Sequence, residues 1–461
     1  MKIETYEQSS RLLVELANAI KKTIEDGLTS GVLEPENETY FRWKINDFKY
    51  DDSGPQNTSA TGEYITKKSW LKATMFIENK VKNSPEYQNA FEHLKKIFDD
   101  KMSEQSVERF VHRISSDCLY ERKIDDQKIA SLVENLHKGL KNEPLLYGAE
   151  VFLEGVVLRP DTVSPAHGIV LRKTVKEDLQ KETPYYSMAH FPRNDLYPIP
   201  SAILKIEFLG TRGNETQKKV DETITLLRLF KVGSIKYISY KMYTDSFGDP
   251  LATSTHTSGD TAAAYEKYLI NEEDVELLKR FWENLQPLLS KSLGWPSSAK
   301  EDHVTIAYKR YSDSLLHNGL IERKIANAVM GLEGLLLKAG ELQELPYRLS
   351  NRAAKVFAVL ERDPLEIKKV IVDAYKVRNL FVHGSQLSYD QRKKYENKYK
   401  DVKNLFLHVL DYLRMCIVVY LTLNLEKNAF IDIIDDSFVD KKREEQLRGV
   451  LNSAKYVFGV N

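Results

Sequence analysis

The chain has 461 residues, of which 42% are hydrophobic and 29% charged, with 67 basic and 67 acidic side chains. This is the profile of an ordinary soluble globular protein, long enough for two or three domains. The neutral balance says nothing about partners, so any nucleic-acid signal has to be local. The opening MKIETYEQSS lacks the apolar core of a signal peptide. The longest apolar run, near residues 416–423, is far short of the roughly 20 residues of a spanning helix. Cys118 and Cys416 are the only cysteines, and a buried free thiol suits Cys416 better than a disulfide. A cytoplasmic, reduced protein with no membrane partner is expected.

Residues 1–145 read as mainly helical. Leu12, Leu13, Leu16, Ile20 and Ile24 recur at helical spacing. The polar stretch DDSGPQNTSATG, residues 51–62, reads as a loop. Residues 70–77 and 91–98 resume an apolar rhythm. From 146 to 250 the character changes to a β-rich domain. Residues 151–158, 203–209, 223–230 and 235–243 are short runs rich in β-branched and aromatic side chains, separated by Gly, Pro and Asn. Such short strands predict an antiparallel sheet flanked by helices. Residues 251–261, small and polar, read as a linker.

From 265 to 461 the periodicity is helical. Asn271 is a candidate N-cap, and helices are predicted at 303–316, 321–338, 365–383, 402–425, 430–439 and 442–456. The fold class expected is therefore α+β and multidomain, mostly α, with a C-terminal helical bundle.

One motif carries chemistry. On a helix over 365–383, Ile367, Val370, Ile371, Ala374, Val377 and Phe381 form an apolar stripe. Arg378 falls inside that stripe, where a guanidinium needs a carboxylate, a phosphate or a special surface. Asn379 and His383, four apart, share a more polar flank. Gly384 reads as the residue that ends the helix. An imidazole beside a permanent cation suits metal-free phosphodiester chemistry, since one moves a proton while the other steadies phosphate charge. Set against this is a capping histidine with a structural arginine, the commoner fate of such a pair.

Four stretches, IANAVMGLEGLLLK, YRLSNRAAKVFA, AYKVRNLFVHGS and FIDIIDDSFV, resemble in order and spacing the HEPN domains, specifically their Apea-like branch, over roughly residues 308–460. The stretch EVFLEGVVLRP followed by GIVLRK is similar, less specifically, to the region that precedes the helical domain in such proteins. The resemblance implies an all-α bundle whose signature maps onto Arg378, Asn379 and His383. It also implies a metal-independent endoribonuclease without a cofactor, a homodimer with a composite site, and a role in phage defence or a toxin–antitoxin system. Some members of the family have lost catalysis and only bind.

Glu333, beside the stripe of Leu332, Leu335 and Leu336, either orients Arg378 or is an ordinary flank carboxylate. Arg348 and Arg352 either face RNA phosphate or form surface ion pairs. Between residues 348 and 403 there are 14 Lys or Arg against 7 Asp or Glu. RKKYENKYK places Arg392, Lys393 and Lys394 beside Tyr395 and Tyr399, a mixture for phosphate contact and base stacking. Asp432, Asp435, Asp436 and Asp440 read as a solvated acidic face rather than a metal site. No zinc spacing and no phosphate loop occurs. His167 and His190 are all that the β-rich domain offers an enzyme, so recognition is expected of it. The leading expectation is cleavage of single-stranded RNA, with the N-terminal and β-rich regions sensing a trigger or selecting the RNA. The alternative is a catalytically silent RNA-binding or protein-interaction module.

Overall fold

The computed structural model describes residues 3–98, 100–121, 124–179, 182–184, 200–247, 255–257, 266–292, 302–317 and 319–459. It opens with helix α1 (Ile3–Thr29), then strands β1 (Glu36–Asp51) and β2 (Gly54–Ser69). Helices α2 (Leu71–Lys82), α3 (Pro85–Lys95), α4 (Asp100–Glu121) and α5 (Asp126–Leu140) follow. Leu13, Leu16, Ile20 and Ile24 of α1 are buried in a core shared with α2 to α5, as their spacing predicts. The loop expected over residues 51–62 is instead the turn and returning strand of a long antiparallel hairpin, with Glu36 opposite Ser69 and Asp51 opposite Gly54. Its strands mix exposed and half-buried residues, so backbone pairing rather than burial defines them.

The middle of the chain forms β3 (Leu145–Glu154), β4 (Val156–Leu158), β5 (Thr162–Ala166), β6 (Ile169–Lys173), the short α6 (Lys176–Leu179), β7 (Glu182–Pro184) and β8 (Ala202–Gly210). Then come α7 (Asn214–Phe230), β9 (Lys236–Thr244), β10 (Thr255–Thr257) and β11 (Tyr268–Ile270). The main sheet has the order β10-β9-β3-β8-β6-β5, and every pairing in it is antiparallel. A small parallel pair joins β11 to β4. Residues 223–230, expected as a strand, belong to α7. Thr223, Ile224, Thr225, Leu226, Leu227 and Leu229 are all buried, and a helix covered on all sides shows no polar face to mark its period. In the expected linker, Thr255–Thr257 form the edge strand β10, and residues 251–254 and 258–261 lie outside the described residues.

Helices complete the chain: α8 (Asp274–Ser292), α9 (His303–Leu316), α10 (Ile321–Leu336), α11 (Leu345–Val359), α12 (Pro364–Val382), α13 (Tyr389–Tyr399), α14 (Val402–Thr422), α15 (Lys427–Asp436), α16 (Lys441–Val450) and α17 (Asn452–Phe458). Helix α14 packs against α7, α8, α9, α10, α12, α13 and α17. By length and composition alone it is apolar enough to cross a membrane, and most of it is buried in the protein. Gly331 lets α10 approach α14, since a Cβ there would come within 2.6 Å of the Leu413 side chain.

Sheet and bundle share one continuous apolar core, whereas the N-terminal helices keep their own. The joint is polar as well as apolar. Arg414 of α14 donates to the carbonyls of Leu229 and Phe230 at the end of α7. Tyr308 and Tyr311 of α9 donate to Thr225 Oγ1 and the Arg228 carbonyl. The bonds to Arg228, Leu229 and Phe230 satisfy the last carbonyls of α7, which have no partner within the helix.

Candidate functional site

Helix α12 is fixed at both ends. The Asp363 carboxylate accepts from the backbone N–H of Leu365 at 2.9 Å and of Glu366 at 3.4 Å, with Pro364 in the first turn. At the other end Gly384 adopts φ +76. Its N–H reaches the Phe381 carbonyl at 3.0 Å, and that of Ser385 reaches Leu380 at 2.8 Å, the double bond of a Schellman motif. Ile367, Val370, Ile371, Ala374 and Val377 are buried. These constraints set the rotation of α12 and therefore where Arg378, Asn379 and His383 project.

Arg378 turns towards α10, its side chain 23% exposed. Its Nη2 donates to Glu333 Oε2 at 3.3 Å and its Nη1 to Asn379 Oδ1 at 3.1 Å. The guanidinium also lies 5.4 Å from the Tyr375 ring centre, within reach of a cation–π contact. Its Nε is buried without a hydrogen-bond partner. The carboxylate that an arginine in an apolar stripe demands is thus Glu333. Tyr375 binds the same carboxylate, and burial together with Glu333 pushes its phenol up to about 12.

His383 occupies the C-cap of α12 and is exposed. Among the described residues its imidazole has no hydrogen-bond partner. With Asn379 it lines a groove of about 410 Å3 whose other walls are Lys376, Leu380, Ser385, Gln391, Lys394 and Tyr395. Arg378 is not part of that lining, so within one chain the imidazole and the guanidinium serve different surfaces, linked through Asn379.

The remaining expected residues divide. Lys394 lines the groove, Lys393 is exposed on α13, and the Arg392 guanidinium pairs with the buried Glu322 at 2.5 Å. Tyr395 lines the groove but is only 6% exposed. It stacks on Tyr399 with ring centres 6.5 Å apart, and burial pushes its phenol up to about 12. At 6% exposure Tyr395 has too little free ring surface to stack on a base, so that expectation is corrected.

Arg352 is corrected too. It is 2% exposed and clamped by Glu341 and Asp435, with Nη1 on the Leu336 carbonyl, out of reach of an RNA phosphate. Arg348 donates to Glu341 at 3.1 Å. Asp432 pairs with Lys338 and Asp436 with Arg443, while Asp440 caps α16. Among the described residues no cluster of three or more His, Cys, Asp or Glu could hold a metal. His167 is exposed at the β5–β6 turn, and His190 lies outside the described residues.

Sequence reasoning missed Lys376, Gln391 and Tyr375. Lys376 had a signal, lying one helical turn before Asn379 on the same flank. Gln391 had one too, the Ser-x-x-Gln spacing of a capping box from Ser388, although α13 was not read as a helix. Comparison of the chain with protein-family models, curated proteins and solved structures finds no match.

Proposed function

We propose that the C-terminal helices form a HEPN-type, metal-independent endoribonuclease acting on single-stranded RNA in the cytoplasm. The observation that carries this reading is the groove in which an exposed, unpaired imidazole stands beside Asn379, Lys376 and Lys394. A 2′-hydroxyl, present only in RNA, attacks the adjacent phosphorus while its proton passes to a base. The bond to the 5′-oxygen breaks, that oxygen takes up a proton, and the products are 2′,3′-cyclic phosphate and 5′-hydroxyl ends. His383 supplies one of these proton transfers, Arg378 steadies the phosphorane charge, and Asn379 orients either. Since Arg378 and His383 serve different surfaces of one chain, a second copy related by a two-fold axis completes the site. The N-terminal and β-rich regions select the RNA or sense a trigger, in phage defence or a toxin system.

Purified protein and its His383→Ala variant, incubated with RNA in EDTA, test the reading. Loss of one proton transfer lowers the rate by about 10²–10⁴-fold with RNA affinity little changed. Wild-type rates in the variant, or activity that EDTA abolishes and magnesium restores, would refute it.

A second reading has its own observation in favour: Arg378 is already paired with Glu333 and Asn379 and mostly buried. In that case the bundle binds RNA or another protein without cutting. Binding by both proteins with cleavage by neither would select it.

A further inference from the structure

The groove beside His383 has a neighbour between the same two helices. A second cavity, of about 400 Å3, is lined in part by Lys369, Lys398, Tyr399, Lys400 and His408. The first cavity lies between the end of α12 and the start of α13, the second between the start of α12 and the end of α13. The two are therefore in line, with Lys369 about 21 Å from His383 along α12 at about 1.5 Å per residue.

Asp373 sits between them, 7% exposed. It accepts from Lys376 Nζ at 3.1 Å, Lys398 Nζ at 2.5 Å and the Tyr399 hydroxyl at 3.0 Å. Lys376 lines the first cavity and Lys398 the second. One buried carboxylate thus sets an ammonium group at the wall of each. Burial raises the Asp373 pKa, but its three donors outweigh that and hold it below the usual value, so the anchor stays charged. Lys369, Lys394 and Lys400 are exposed and, among the described residues, have no carboxylate in ion-pair range. Among the described residues Glu366 is the only acid lining either cavity.

We propose that the two cavities form one phosphate track, along which a single RNA strand passes His383 while Lys369, Lys398 and Lys400 hold backbone phosphates several nucleotides from the scissile one. This rests on the ribonuclease reading of His383 and adds a substrate requirement to it. Each cavity is of a size that takes one small molecule, which suits successive nucleotides of a single strand rather than a duplex. The charges border two concave cavities between helices rather than one flat face, which favours a strand lying along the groove over a flat anionic membrane. Lysine makes point-charge contacts to phosphate that carry no base preference, so the track reads length rather than sequence.

The test compares the full chain carrying His383→Ala, which slows cutting beyond the time of a titration, with the same protein carrying Lys369→Ala and Lys400→Gly as well. Lys400 sits at φ +69, a conformation that glycine adopts without strain, so its charge is removed at no backbone cost. Labelled RNA of about four and about twelve nucleotides is titrated by fluorescence anisotropy, after thermal melts show that both proteins are folded. The short oligomer binds both alike. The long one binds the charge-depleted protein at least about tenfold more weakly, and its salt dependence flattens by about 1.4 in log–log slope for two lost phosphate contacts. Equal affinity for the long oligomer, or equal loss for both lengths, overturns the track. So does lysine-dependent binding of phosphatidylserine vesicles without binding of RNA. Failure of the catalytic reading shows separately, as cleavage by the His383→Ala protein at the wild-type rate.

Discussion

Glu333 of α10 receives the Arg378 guanidinium of α12 at 3.3 Å, which pairs the residue assigned to phosphate charge with a carboxylate before any substrate arrives. Replacing Glu333 with Gln leaves a mostly buried guanidinium without its carboxylate, and stability should fall by about 1–3 kcal/mol in urea denaturation. The Tyr375 phenol, pushed up to about 12 by burial and by Glu333, should titrate at lower pH in the variant, visible as an absorbance change on alkaline titration. If Glu333 positions Arg378 for catalysis, kcat falls while KM barely moves. An unchanged kcat with the same stability loss would make the pair purely structural.

Arg352 is the most heavily committed cation in the bundle, tying α11 to Glu341 and to Asp435 of α15. Arg352→Ala leaves Glu341 with Arg348 alone as its cation and Asp435 part-exposed without one, and should cost about 1–3 kcal/mol once solvent screening is allowed for. Arg352 is the main cause of the low pKa of Glu341, about 2 against an ordinary 4.5. A depressed carboxylate stabilises the fold above its unfolded pKa and loses that contribution as pH falls. The wild type should therefore lose stability between about pH 4.5 and 2, and Arg352→Ala should show a flatter acid limb. Parallel limbs for the two proteins would disprove the linkage.

Gly384 sets the end of α12 through its backbone alone, because a Cβ there would meet nothing within 4 Å. Gly384→Ala should thus cost about 1–2 kcal/mol from left-handed strain, with Gly384→Asn costing less. Because His383 is the adjacent C-cap, the alanine variant should also impair any reaction that depends on the imidazole. Equal stability of the glycine and alanine proteins would contradict the assigned conformation.

Much of the bundle could be read from sequence, because helices such as α9 and α12 present apolar residues at the helical period. His303–Leu316 begins and ends where its periodicity does. Three elements escaped for separate reasons. In the β1–β2 hairpin Phe41, Trp43 and Ile45 do alternate with Arg42 and Lys44, but the polar, turn-rich start of the returning strand, GPQNTSATG, hid its partner. Helix α7 is buried nearly all round, which erases the polar face. Helix α13, with Tyr395 its one buried side chain, looks from sequence like a charged loop. At the site, chemistry was legible and geometry was not. The Arg-Asn-x-x-x-His spacing named the residues on α12, but the partner of Arg378 and the far wall of the groove come from segments distant in sequence. Local charge did point to α13, yet which cations face the groove depends on how α13 packs against α14.

Strand β3 lies between β8 and β9, and both neighbours come later in the chain. At synthesis rates of about 5–20 residues per second, some ninety residues separate the emergence of β3 from that of its last partner, an interval on the order of ten seconds. The N-terminal helices can already bury their own core during that time, Phe247 apart. Val151, Phe152 and Leu153, by contrast, must wait with both hydrogen-bonding edges of their strand open until β8 emerges, and with one open until β9 does. The vulnerable period of this protein's life is thus a nascent one, and a ribosome pausing near residue 200 would present an unpaired apolar strand to every other chain around it.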